Sequence, residues 1–153
     1  MKNTGILKSF KNAVCGIFEA LKSERNLRFH FMIANLIIIF AYFYKITALE
    51  WAVLFLTIGL VFCAELINTA VENAVDTATR EISKTAKLAK DASAGAVLVC
   101  AVISVVIGFM LFFDIQKITD TLTYIFSTPH ILTVCLIIGV LDVIFVCFDK
   151  KKE

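Results

Sequence analysis

The sequence predicts an all-α membrane protein, on three observations. Hydrophobic residues make up 59% of the chain, and the mean hydropathy is +0.87. Charged residues are clustered, which leaves four long apolar stretches, 29–44, 51–75, 92–113 and 131–148. A soluble domain of 153 residues could not bury that much apolar surface.

The first element is a surface helix over about 5–26. Ile6, Phe10, Ala13, Ile17 and Leu21 recur at helical spacing, with Lys8, Lys11, Asn12, Glu19 and Lys22 on the opposite arc. Such a helix lies on a membrane surface with its apolar face down. Glu24 continues onto the apolar arc, so it must either end the helix or point into the protein.

Spans follow at about 28–46, 50–75, 92–113 and 131–148. A crossing needs about 20 residues. The third and fourth stretches meet this outright, and the first needs Leu27 and Ile46 as shoulders. The second reaches it only with Glu65 and Glu72 inside or at the edge of the bilayer. Asp91 stands at the mouth of the third span as a possible N-cap, followed by the small residues Ala92-Ser93-Ala94-Gly95-Ala96. Pro129 precedes the fourth span, where a missing N–H costs least. Asp142 within that span is expected to snorkel or to pair with another helix.

Thirteen of the fifteen Lys and Arg residues precede the first span, lie between the second and third, or form the C-terminal tail. Cytoplasmic flanks carry the basic excess, which predicts that both termini and the 76–91 connection are cytoplasmic. A cleaved signal peptide is not expected, because nothing before residue 28 forms a continuous apolar core. The net charge of +2 does not suggest a nucleic-acid partner. The five cysteines are scattered singly and read as small apolar residues.

Chemistry concentrates on the second span. With Glu65 as zero on a helical wheel, Asn68 falls at about −60°, Thr69 at +40°, Glu72 at −20° and Asp76 at +20°. A polar seam for helix packing needs only Asn or Thr. Two glutamates ask for more, since a charged side chain at the bilayer centre costs at least about 2.5–3.5 kcal/mol. Three functions fit such a row: an enzyme site open to the cytoplasm, a proton- or ion-coupled transporter, or a structural bundle. The row ends in a basic cytoplasmic loop and has no matching acids in the outer halves of the spans, which counts against the transporter. No GxxxxGK[ST] or GxGxxG motif is present.

Three pieces carry a resemblance: Ala64-Glu65-Leu66-Ile67-Asn68-Thr69-Ala70-Val71-Glu72 with Asp76; Ala89-Lys90-Asp91 with Ala94-Gly95-Ala96-Val97; and Ala20-Leu21-Lys22-Ser23-Glu24-Arg25-Asn26 with Arg28 and His30. Over about residues 5–113 the chain resembles the bacterial diacylglycerol kinase/undecaprenol kinase family of small membrane lipid kinases. The Ser-Glu-Arg-Asn form is closer to the undecaprenol kinases of Gram-positive bacteria. The resemblance implies a homotrimeric, multi-pass enzyme of the bacterial inner membrane with a lipid kinase domain at 1–113. Residues 114–153 add a connection, an extra span and a basic tail.

The implied reaction is phosphorylation of a lipid alcohol by ATP with Mg²⁺, on undecaprenol or alternatively diacylglycerol. Carried onto this chain, Glu65 is the general base, and Glu24 and Glu72 hold the metal. Lys90, Asp91 and Asn68 contact ATP, with Asn12, Glu81, Ile82 and Ser83 completing that site. Asn26, Arg28 and Ala94 (a serine in some members) face the lipid.

Overall fold

The computed structural model describes residues 5–78 and 83–147, and these form six helices with no strand among them. They are α1 (Ile6–Ser23), α2 (Arg25–Tyr44), α3 (Ala48–Ala78), α4 (Lys84–Leu111), α5 (Ile115–Ser127) and α6 (Pro129–Cys147). Four of them, α2, α3, α4 and α6, are long and apolar enough to cross a membrane. Large side chains such as Phe55, Leu98, Phe109 and Leu136 stand exposed along these helices, as lipid-facing residues must. This is a membrane protein.

Glu24 resolves the first choice left by the sequence: it ends α1. Its backbone is extended (φ −101°, ψ 115°), and its N–H closes the last turn on the Ala20 carbonyl at 2.8 Å. Arg28, buried at the start of α2, locks this elbow by donating from Nη1 to the Lys22 carbonyl at 2.7 Å. The amphipathic α1 leaves Ile6, Leu7 and Phe10 on an exposed apolar face, as a surface helix requires.

α2 stops at Lys45, whose left-handed backbone (φ 56°, ψ 57°) returns its N–H to the Ala41 and Tyr42 carbonyls. α3 then opens on a capping box. Thr47 N–H donates to Glu50 Oε2 at 2.6 Å, and Glu50 N–H donates to Thr47 Oγ1 at 3.3 Å. The box starts α3 two residues before the expected position. Near it, Ala41, Tyr44, Ile46 and Leu54 form a buried cluster against Phe40, Trp51 and Phe112.

With 31 residues, α3 is about 46 Å long at 1.5 Å per residue. That exceeds a hydrocarbon core of about 30 Å, so one end projects beyond it. α3 and α4 form the closest-packed pair, while no residue of α4 is fully buried.

Two expectations need correction. Asp91 does not cap the third span, because α4 begins at Lys84 and its cap is Ser83, whose Oγ accepts from Ala86 N–H at 3.0 Å. The segment after residue 113 is not a plain connection, because α5 folds there on an N-cap by Asp114, which accepts from Lys117 N–H at 3.0 Å. Its β-branched residues disfavour a helix intrinsically. Packing of α5 on α2 and α6 overrides that preference. α6 begins with Pro129 as its first residue. Phe148 and the basic tail lie outside the described residues.

α6 docks on α2. Asn35 Nδ2 donates to Asp142 Oδ1 at 3.0 Å, so Asp142 does pair with another helix. Beside this bond Phe31 sits edge-on to both Phe145 of α6 and Phe62 of α3, with ring centroids 5.8 and 6.4 Å away.

Candidate active site

The inner face of α3 is a stripe of buried positions, Leu54, Thr57, Val61, Glu65 and Asn68. Their spacing of three and four residues is that of one helical face. Glu65 is therefore buried because it occupies a core position; it is 3% exposed. The small residues Ala34 and Ala41 let α2 approach α3 closely. One turn before Ala34 on that face stands His30, whose Nε2 lies 3.1 Å from Glu65 Oε1. Glu24 stands half-buried at the elbow between α1 and α2, and α1 also packs on α3.

Further along α3 the polar row becomes progressively exposed. Asn68 is buried, Thr69 and Glu72 are half-buried, and Asp76 is exposed. Asn68 Nδ2 donates to Glu72 Oε1 at 2.9 Å. Ser93 Oγ of α4 lies 2.7 Å from Asn68 Oδ1 and 2.9 Å from the Lys90 carbonyl, two acceptors for its one proton. The Lys90 ammonium pairs with Asp76. Starting about one turn beyond the buried Glu65, a ladder of side chains thus runs from Asn68 to Asp76 near the end of α3 and ties α4 to it.

On the other side of His30 an apolar cleft opens between α2, α3 and α4, lined by Ile33, Val61, Phe62 and Ile107 among others. Two hydroxyls border it, Thr57 and Ser104, and both bond to carbonyls of their own helices, Val53 and Ala101, at 2.7 Å. The cleft consequently presents little but hydrocarbon.

The structure brings Glu24, Glu65, Asn68, Glu72 and Lys90 to one end of the bundle. Other residues named from the sequence are placed elsewhere or otherwise engaged. Asn12 is exposed on α1, about 18 Å along the helix from Glu24 at 1.5 Å per residue. Asp91, Asn26 and Ala94 are exposed, whereas Lys90 and Ser93, which face α3, are half-buried. Arg28 is committed to the elbow, and its buried Nε has no partner among the described residues. Ser83 caps α4, and Glu81 and Ile82 lie outside the described residues.

Two residues of the site, His30 and Ser93, carry no role in the sequence reading. His30 falls in line with the buried Leu27, Ala34 and Ala41, and Ser93 follows Lys90 by three residues, but that these faces meet α3 is visible only in the fold. Among the described residues no three His, Cys, Asp or Glu side chains gather as a metal cage.

Comparison with known proteins identifies the family. The family model for prokaryotic diacylglycerol kinase matches residues 11–112. An undecaprenol kinase of Bacillus subtilis (strain 168) is 46% identical over 105 residues, covering 69% of this chain and 85% of that protein. A diacylglycerol kinase of Synechocystis sp. is 40% identical over 104 residues, 67% of this chain but only 59% of that protein's length. A diacylglycerol kinase of Haemophilus influenzae is 30% identical over 111 residues, 72% of this chain and 94% of that protein. No solved structure matches. With its membrane helices, its buried carboxylate and this matched span, the chain belongs to the prokaryotic diacylglycerol kinase family and is a membrane lipid kinase.

Proposed function

We propose that the protein transfers the γ-phosphoryl group of ATP to the hydroxyl of undecaprenol, at the cytoplasmic face of a bacterial inner membrane. One observation carries this reading: the buried Glu65–His30 pair lies where an apolar cleft meets a polar ladder. A lipid alcohol has the same two-part character, a hydrocarbon chain ending in one hydroxyl. The undecaprenol kinase relative, at 46% identity, favours that lipid over diacylglycerol.

Phosphoryl transfer asks a protein mainly for positioning and charge neutralisation. In the proposed reaction the lipid hydroxyl oxygen attacks the γ-phosphorus, ADP leaves, and the hydroxyl proton passes to Glu65. His30 holds one oxygen of Glu65 at 3.1 Å and leaves the other for that proton. Asn68 and Ser93 fix Glu72, and Lys90 supplies a flexible cation for the nucleotide phosphates.

The donor set suits Mg²⁺, which usually takes one or two carboxylates and completes its shell with phosphates and water. Glu24 and Glu72 would hold it, and Glu72 keeps one oxygen free of Asn68. When bound, the ion neutralises phosphate charge.

The basic-residue distribution supports cytoplasmic termini. The face of α4 turned away from α3, which no other described helix covers, supports the homotrimer that the family resemblance implies.

The test is purified protein in mixed micelles with γ-labelled ATP, Mg²⁺ and either undecaprenol or diacylglycerol. Labelled undecaprenyl phosphate is expected, with transfer by Glu65→Gln slowed at least about a hundredfold. Label in diacylglycerol alone would overturn the substrate assignment, and label in neither would overturn the reaction. Crosslinking in the membrane tests the trimer, and a C-terminal reporter tests the orientation.

A further inference from the structure

At the opposite end of the bundle from Glu65, α2, α5 and α6 border an open cavity of about 780 Å³. Its lining combines Lys45, Lys117 and Asp120 with the rings of Tyr42, Tyr44 and Tyr124. A groove between α2 and α6 adjoins it and shares Tyr42, Phe43 and Ile131 with it. That groove is lined by Ile38, Val134 and Ile138, and also by Trp51. A polar, aromatic cup therefore opens directly onto a hydrocarbon slot, at the depth where a span meets the membrane surface.

We propose that this paired cavity binds one phospholipid with an anionic headgroup, from the leaflet opposite the kinase site. The phosphate would sit in the cup and an acyl chain in the groove. Both α5 and α6 lie beyond the matched residues 11–112, so one wall of this surface is what the chain adds to the family core, and α2 with Trp51 of α3 supplies the other.

Charge selects the headgroup. The cup holds two lysines against one aspartate, and Asp120 already accepts from Gln116 Nε2 at 3.0 Å. Glu50, which also feels the charge of Lys117, is held in the capping box with Thr47 and does not line the cup. No carboxylate pairs with Lys45 or Lys117 among the described residues.

The Tyr44 ring is closed to a quaternary ammonium. Lys117 Nζ already lies 4.3 Å from the centroid of the Tyr44 ring, occupying the face a choline group would use. Lys45 is itself informative. It holds a left-handed backbone, a position at a helix end that usually falls to glycine or asparagine. Lysine is disfavoured there, yet it is the residue that lines the cup at this helix end.

Trp51, the single tryptophan, lines the groove and reports on it. The full chain would be reconstituted in phosphatidylcholine vesicles carrying small fractions of brominated phosphatidylglycerol or brominated phosphatidylcholine. Trp51 fluorescence should be quenched by brominated phosphatidylglycerol at low mole fraction, well above the effect of brominated phosphatidylcholine. A lysine beside anionic lipid contributes about 1 kcal/mol, so each is expected to supply about fivefold of that preference. The double variant Lys45→Gly/Lys117→Gln should lose it, and Asp120→Asn should strengthen it. Kinase activity in the same vesicles checks that each variant is folded, since none of these residues belongs to the site around Glu65. Equal quenching by the two lipids, or a preference unchanged in all variants, would overturn the proposal.

Discussion

His30 of α2 holds Glu65 of α3 across 3.1 Å, and this is the contact that joins the two helices at the buried end of the polar ladder. A carboxylate in that position needs a fixed orientation as much as it needs basicity. His30 supplies the orientation from a helix whose own path is set by the Glu24–Arg28 elbow.

Glu65→Gln should remove general-base catalysis, which contributes about 10²–10⁴-fold in rate. His30→Gln keeps a donor near Glu65 and should retain part of kcat, whereas His30→Phe should lose most of it. Steady-state kinetics with the lipid alcohol separate the two. Equal loss in both histidine variants would show that the polar contact is not what matters there.

At the exposed end of the ladder, Lys90 and Asp76 differ in worth. Their ion pair is partly exposed, the side chains being 36% and 66% accessible, and such pairs contribute about 0–1 kcal/mol. Asp76→Asn should therefore leave thermal stability and kcat nearly unchanged. Lys90→Ala should raise the KM for ATP at least several-fold, because it removes the cation proposed to meet phosphate. A comparable KM effect in both variants would place Asp76 in the nucleotide site as well.

The fourth span can be tested through Asn35 and Asp142. Interhelical hydrogen bonds within membranes average about 0.6 kcal/mol, with a maximum near 1.7. Removing one partner strands the other, while replacing both with apolar groups can be nearly neutral. Asn35→Leu and Asp142→Leu should each lower the melting temperature of the purified protein, and the double variant should recover part of the loss. Strict additivity in that cycle would show that the two side chains do not depend on each other.

Ser83 offers a more local test. Replacing an N-cap serine with alanine costs about 0.5–2 kcal/mol. Ser83→Ala should speed amide hydrogen exchange over the first turns of α4, residues 84–90, without altering exchange in α6. An unchanged pattern in α4 would mean that the cap does not hold that end.

The polar row was legible in the sequence because one helix carries it. Glu65, Asn68 and Glu72 share a face whatever the neighbouring helices do, and the expense of acids in a bilayer marks them. His30 was not assigned for the opposite reason. Its role depends on which face of α2 meets α3, and an apolar span surrounded by lipid has too weak a pattern to say. Ser93 likewise acquires its role only from the register of α4 against α3.

α5 was hidden by composition, since Ile115, Ile118, Thr119, Thr121 and Thr123 favour strands by propensity. Asp91 was misplaced because the polar start of α4 falls before its apolar part, and hydropathy sees only the latter. Glu24, by contrast, showed its importance in the sequence as an acid on an apolar arc, and the extended backbone there settled how the conflict is resolved.

The Asn35–Asp142 bond joins residues 107 positions apart, and that separation bears on how the protein is made. Chains leave the ribosome at about 5–20 residues per second, so α2 enters the bilayer seconds before its partner exists. Through that interval Asn35 faces lipid or a temporary neighbour. The Asn35 seam closes only when α6 arrives, and a ribosome that stalls before α6 leaves behind a kinase core with that polar seam open.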